Sequence, residues 1–191
     1  MLNDIKITML GTTGAGKTCY MLGMYAAMQT GVQGFTLSAK DMDIDLDLTE
    51  AWEQLIDAEG EDRWPSANTA EVKDYVFDFN YGFKPIMSFE WVDYRGGAMS
   101  DRSTEQDVQK LMECFKDSSC LFLCIPGEYL KQQVSQATIR QVQSNRMNQY
   151  IQQFISKEKQ ITNDRPFPIA IVITKYDLCS SRPKTEIVED I

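Results

Sequence analysis

Gly11-Thr12-Thr13-Gly14-Ala15-Gly16-Lys17-Thr18 satisfies the spacing G-x-x-x-x-G-K-[ST]. Glycines let a backbone curl until successive N–H groups face phosphate oxygens, and a helix starting at the lysine adds its partial positive end. Lys17 then offers a point charge to the outer phosphates of a triphosphate, and the Thr18 hydroxyl a ligand for Mg²⁺. Asp93-Tyr94-Arg95-Gly96 reads D-x-x-G. Asp93 can hold Mg²⁺ directly or through water, and Gly96 lets its N–H approach a γ-phosphate with no Cβ in the way. Taken alone, that tetrapeptide also suits an ordinary strand-ending turn. Thr174-Lys175-Tyr176-Asp177 reads [NT]-K-x-D. A carboxylate at Asp177 can accept from the N1–H and the 2-amine of guanine, whereas adenine presents an acceptor and no amine there. The Lys175 stem can lie over the purine face.

These residues need strands and helices to carry them. Ile5 to Leu10 has the pattern of a strand running into the glycine loop, and Lys17 to about Met28 that of a helix, with Tyr20, Met24, Ala27 and Met28 at helical spacing. The long stretch from Thr30 to Asp74 is poorly punctuated. Trp52, Leu55 and Ile56 suggest one amphipathic helix near its middle. Tyr75–Asn80 and Ile86–Tyr94 read as a hairpin across Tyr81–Pro85, with Asp93 near the end of its second strand. Val108–Phe115 is helical in pattern, and Cys120–Ile125 is a buried-type strand closed by Pro126-Gly127. Glu128 to about Gln160 reads as helix, with a possible break at Ser144-Asn145, and Ile169–Thr174 is a second continuously apolar strand. Strands alternating with helices, two of them apolar on both faces, imply an α/β fold with a mostly parallel sheet wrapped by helices.

Composition narrows the chemistry. The chain has 191 residues, 28 acids against 19 bases, no histidine and a net charge of −9. Without histidine, Ser-His-Asp and Cys-His catalysis are excluded. The acidic balance argues against a nucleic-acid partner, whose phosphates want a Lys/Arg surface. The apolar runs are too short to span a bilayer, so no membrane segment is expected. No apolar stretch follows the initiating Met, and the five cysteines form no CxxC pair. Both point to a reduced, cytoplasmic protein without a leader.

Phosphate loop, D-x-x-G and T-K-x-D, in this order, resemble a translation-factor-type, Ras-like GTPase over residues 4–178. Trp64-Pro65 followed by Thr69 and an aromatic strand, with the tract Trp91 to Gly97, is similar to prokaryotic double-GTPase domains. The resemblance implies a P-loop NTPase three-layer sandwich, with a mostly parallel sheet and one antiparallel hairpin strand. It further implies GTP/GDP and Mg²⁺ as ligands and slow GTP hydrolysis as a molecular switch. Residues 1–191 would form a single domain with an acidic switch I insertion at about 30–74.

By the same resemblance, Gly11, Thr13, Gly14, Ala15 and Gly16 would line the phosphates together with Lys17, Thr18 and Cys19. Gly96 would sense the γ-phosphate, and Thr174, Lys175 and Asp177 would hold the base. Thr69 is the best match for the switch I threonine that completes a metal set with Thr18 and Asp93; Thr36, Thr49 and Ser66 are its rivals. Gly97 stands where many relatives carry a water-orienting glutamine, so Lys17 and Thr69 would need help from Arg95 or from a partner's residue. The partner would be a protein effector or a second GTPase domain. Relatives continue past T-K-x-D with a further strand, a base-contacting loop and a helix. Here 14 residues follow Asp177, so the last strand and helix of such a domain are expected to be missing.

Four further features have plainer readings. Asp41-Met42-Asp43-Ile44-Asp45 begins like a calcium loop but has Leu46 and Trp52 at the sixth and twelfth positions, which favours a solvated acidic face. Arg63 could act as an arginine finger or be an ordinary loop arginine. Cys19 could be an activated thiol at a helix start or a small packed residue. Residues 131–160, with five bases and one acid, could meet an acidic partner or be a solvated face.

Overall fold

Alternation along the first strand sets the layering. In the computed structural model, which describes residues 4–65, 73–93, 104–141, 144–158 and 167–191, β1 is Asp4–Leu10. Its Ile5, Ile7 and Met9 join one hydrophobic core, while Leu10 joins another. A strand's two-residue period turns successive side chains to opposite faces, so β1 feeds two cores at once.

The elements follow as α1 (Lys17–Gln29), β2 (Phe35–Ala39), α2 (Met42–Asp57), β3 (Lys73–Tyr81) and β4 (Lys84–Asp93). Then come α3 (Glu105–Asp117), β5 (Cys120–Pro126), α4 (Gln136–Gln141), α5 (Ser144–Glu158), β6 (Ile169–Thr174) and α6 (Lys184–Asp190). The strands form one six-stranded mixed sheet in the order β2-β3-β4-β1-β5-β6. β1 pairs in parallel with β4 and β5, and β5 with β6, whereas β3 is antiparallel to both β2 and β4. β3 alone therefore runs against the other five. Helices cover both faces. Met21, Leu22 and Tyr25 of α1 and Leu48 and Leu55 of α2 pack on Met9, Phe77 and Trp91. Across the sheet, Leu111 and Phe115 of α3 and Met147, Ile151 and Phe154 of α5 pack on Leu10 and Leu121. Helix, sheet and helix make three layers. Among the described residues no helix is long and apolar enough to cross a membrane.

Several elements differ from the sequence reading. β2 was not expected. It is only five residues long and includes Ser38, yet it pairs with β3 from Phe35↔Tyr81 to Ala39↔Phe77, and Phe35 stacks on Phe79. Cross-strand aromatic contact supplies what local propensity lacks. Glu128 to Gln160 is not one helix: a 3-10 turn at Gly127–Leu130 is followed by non-helical residues 131–135 before α4 and α5. The buried face of α1 is Lys17, Met21, Leu22 and Tyr25, with Ala27 exposed. On α2, Leu55 is buried but Ile56 is 52% exposed. The hairpin turns at Gly82-Phe83, tighter than expected, and places Pro85 inside β4 beside an irregular register at Phe79/Asn80. β6 is not apolar-buried on both faces: as the outer strand it leaves Ile169 39% and Ile171 49% exposed.

The stretch between α1 and β3 is held by a polar joint. The Tyr25 hydroxyl accepts from the Ala39 N–H (3.1 Å) and donates to the Asp45 carboxylate, which also receives Gln29. The acids at 41–45 form no loop. Asp41 caps α2 by accepting from the Asp43 N–H at 2.8 Å, and the helix runs straight through Asp43 and Asp45.

Candidate functional site

The glycine loop leaves β1 at Leu10 and enters α1 at Lys17. Gly14 and Gly16 adopt φ of 75° and 81°, in the left-handed region that glycine enters without steric penalty. Gly11 is needed for space: a Cβ there would stand 3.0 Å from the Cys124 carbonyl oxygen. Ala15 is buried and its N–H closes back on the Thr12 carbonyl (3.1 Å), while Thr13 and Gly14 stand exposed at the crest. Lys17 is buried, and its Nζ donates to the carbonyls of Gly11 (3.1 Å) and Thr12 (3.3 Å), so the ammonium lies across the mouth of the loop. Burial pushes the Lys17 ammonium below its ordinary value, with the charge of Asp93 pulling it back up.

The β1–β4 register pairs Met9 with Asp93, which brings the end of β4 level with the start of the loop. Thr18 Oγ1 donates to Asp93 Oδ2 at 2.6 Å across 75 positions of sequence. These hard oxygen donors fit Mg²⁺, which takes one or two protein ligands and keeps several waters. Among the described residues no group of three or more His, Cys, Asp or Glu side chains is arranged for a metal. Beside the pair opens a cleft of about 420 Å³ walled by Leu22, Asp47, Leu48 and Tyr75. Burial, then the charges of Asp93 and Asp47, push the Tyr75 hydroxyl up to about 12.

The third motif meets the first from below. The Thr174 hydroxyl, at the end of β6, donates to the Ala15 carbonyl, and its Cβ would lie 3.3 Å from a Cβ placed on Gly16. Lys175 takes a left-handed conformation (φ 49°) and pairs with Glu128 at 3.4 Å. Asp177 follows in the 3-10 turn Tyr176–Leu178, with its carboxylate exposed and engaged by no described residue.

Thr18, Lys17, Asp93 and Thr174 are thus brought together around the loop. Thr69, Arg95, Gly96 and Gly97 lie outside the described residues, as does Ser66. Of the rivals for Thr69, Thr36 sits in β2 and Thr49 donates its hydroxyl to the Asp45 carbonyl at 2.8 Å. Arg63 is occupied: it donates to the Leu55 carbonyl (3.1 Å) and stacks over Trp64 at 4.8 Å. Cys19 is packed and not activated, because burial pushes its thiol up despite the nearby Lys175 charge. The sequence reading missed two neighbours of the third motif, Gly127 and Glu128. Their only local signal is the Pro126-Gly127 break after a buried strand.

Protein-family models compared with the chain give no match, and neither do the curated proteins.

Proposed function

We propose that this chain is a Ras-like P-loop GTPase domain that binds GTP with Mg²⁺ at the Gly11–Thr18 loop and hydrolyses it slowly as a switch. One observation carries the reading: Thr18 and Asp93 meet at 2.6 Å at the mouth of a glycine loop spanned by a buried lysine. Carboxylate, hydroxyl and ammonium at one loop suit a metal-bound triphosphate better than any other small ligand. Lys17 would balance the outer phosphate charge, Thr18 and Asp93 would hold Mg²⁺, and Asp177 would read the base. Bound Mg²⁺ supplies charge neutralisation at the phosphate oxygens.

The test is thermal unfolding with GTP and Mg²⁺. At ligand about 100-fold above its dissociation constant the gain is about 2.7 kcal/mol, a shift of roughly 5–10 °C for a domain of this size. Lys17→Ala should abolish it; an unshifted wild type refutes the reading. Competition between GTP and ATP, repeated on Asp177→Asn, checks the base: equal affinities in the wild type remove guanine and leave a P-loop ATPase. A second reading is favoured by Arg63, which the Leu55 carbonyl and Trp64 hold in place. With that guanidinium committed, Arg63 is no arginine finger, and without another catalytic group the domain would be a nucleotide-binding interaction module without turnover. Phosphate release that disappears in Lys17→Ala supports the enzyme; tight binding without release supports the module.

A further inference from the structure

Asp177 rides on a turn that cannot hold itself. Its 3-10 helix has three residues, fewer than an isolated helical turn needs to persist, and its carboxylate contacts no described residue. Support must come from the peptides on either side. Ahead of it, the Leu178 N–H closes on the Lys175 carbonyl at 3.0 Å, and that carbonyl backs onto Gly127. A Cβ on Gly127 would stand 2.5 Å from the Lys175 oxygen and 3.0 Å from the Sγ of fully buried Cys179. Gly127 is buried and its φ is not positive, so glycine is required there for space and not for conformation. Behind Asp177, Arg182 reaches back to the segment that follows Gly127. Its Nη1 donates to the carbonyls of Leu130 (2.9 Å) and Gln132 (3.0 Å) and pairs with Asp190 at 2.8 Å. The same Asp190 oxygen accepts from the Val134 N–H at 3.4 Å. All three Arg182 contacts converge on Nη1, and Nη2 lies 3.6 Å from Glu186, so one guanidinium ties the segment after Gly127 to the residues that follow Asp177.

We infer that Gly127 and Arg182 are positioning residues for base recognition, clamping the Lys175–Asp177 turn from both sides so that the Asp177 carboxylate meets the purine edge in one orientation. This rests on the guanine reading above. A carboxylate that reads two donors at once tolerates little rotation, so loosening the clamp removes selectivity before it removes affinity for phosphate.

Inosine triphosphate is the probe, because it keeps N1–H and lacks the 2-amine. The wild type should prefer GTP over inosine triphosphate by roughly 10- to 100-fold, the range for one hydrogen bond to a charged group. Gly127→Ala and Arg182→Met should each bring that ratio to within about threefold of unity, as Asp177→Asn does, while affinity for inorganic tripolyphosphate with Mg²⁺ is kept. Arg182→Met removes these contacts and covers the case in which Gly127→Ala fails to fold. If the wild type shows no preference, the guanine reading fails and takes this inference with it. If the wild type discriminates and the variants keep the ratio, or lose both ligands together, the inference is overturned and the guanine reading stands.

Discussion

At the scale of single residues, Lys17 carries a cost in the free protein. Its ammonium is buried, and the folded state holds it below the 10.5 of an unfolded chain. Well below the lowered value both states are protonated and the burial cost is present in full. As pH rises through the lowered value, the folded protein releases the proton first, the unfolded chain binds more protons, and stability must rise. Denaturant unfolding of the wild type and Lys17→Met between pH 7 and 10.5 should show the wild type gaining on the variant as pH climbs. A constant difference would mean that Lys17 is no more strained than a surface lysine. Gly16 makes a steric case. An alanine there would combine φ 81° with a wall of Thr174 atoms at 3.3 Å. Gly16→Ala should destabilise the free protein by about 1–3 kcal/mol, measured by chemical unfolding.

At the scale of elements, α2 packs on α1 through Leu48 and Leu55, and a polar joint adds to that packing. Tyr25 makes that joint, linking α1 to β2 through Ala39 and to α2 through Asp45. α1 begins at Lys17, so Tyr25 links α2 to the helix that carries the loop's lysine and threonine. Tyr25→Phe keeps the tilted ring contact with Phe77 but leaves the Ala39 N–H without its acceptor and the Asp45 carboxylate with Gln29 alone. The expected loss is about 1–3 kcal/mol. Amide exchange should accelerate across β2 and α2, and not in β1 or β5, if the joint acts locally. Uniform acceleration through the sheet would show instead that β2 and α2 fold as one unit with the rest.

At the scale of the whole molecule, three hydrophobic clusters share one sheet, and β1 and β5 are packed on both faces. The sheet's two edges are β2 and β6. The outer edge of β6 has no strand partner among the described residues, and Ile169 and Ile171 of that strand are exposed. Exposed apolar edge strands template pairing with other chains. The wild type should therefore associate as concentration rises, and Ile171→Lys should reduce this with stability changed by no more than about 0.5 kcal/mol. Sedimentation velocity over a concentration series is the measurement. An association that the lysine leaves untouched would move the contact elsewhere.

The chain alone determined what depends on short stretches. Loop glycines, the lysine and threonine after them, the aspartate at a strand end, and two apolar strands were all legible, because backbone conformation and period are local properties. The α2 helix was legible for the same reason. Only the tertiary structure decided the rest. It paired β2 with β3 through aromatic rings, and it chose Met21, Leu22 and Tyr25 as the buried side of α1. It also stopped the glutamine-rich segment from forming one helix and set Gly127 against the Lys175 carbonyl. Each of these follows from which surfaces meet across long separations, and no window of neighbouring residues contains that information. Thr18 and Asp93 mark the boundary. Both were expected at the site from their motifs, but the parallel register of β1 and β4 is what brings a hydroxyl and a carboxylate from distant parts of the chain to 2.6 Å.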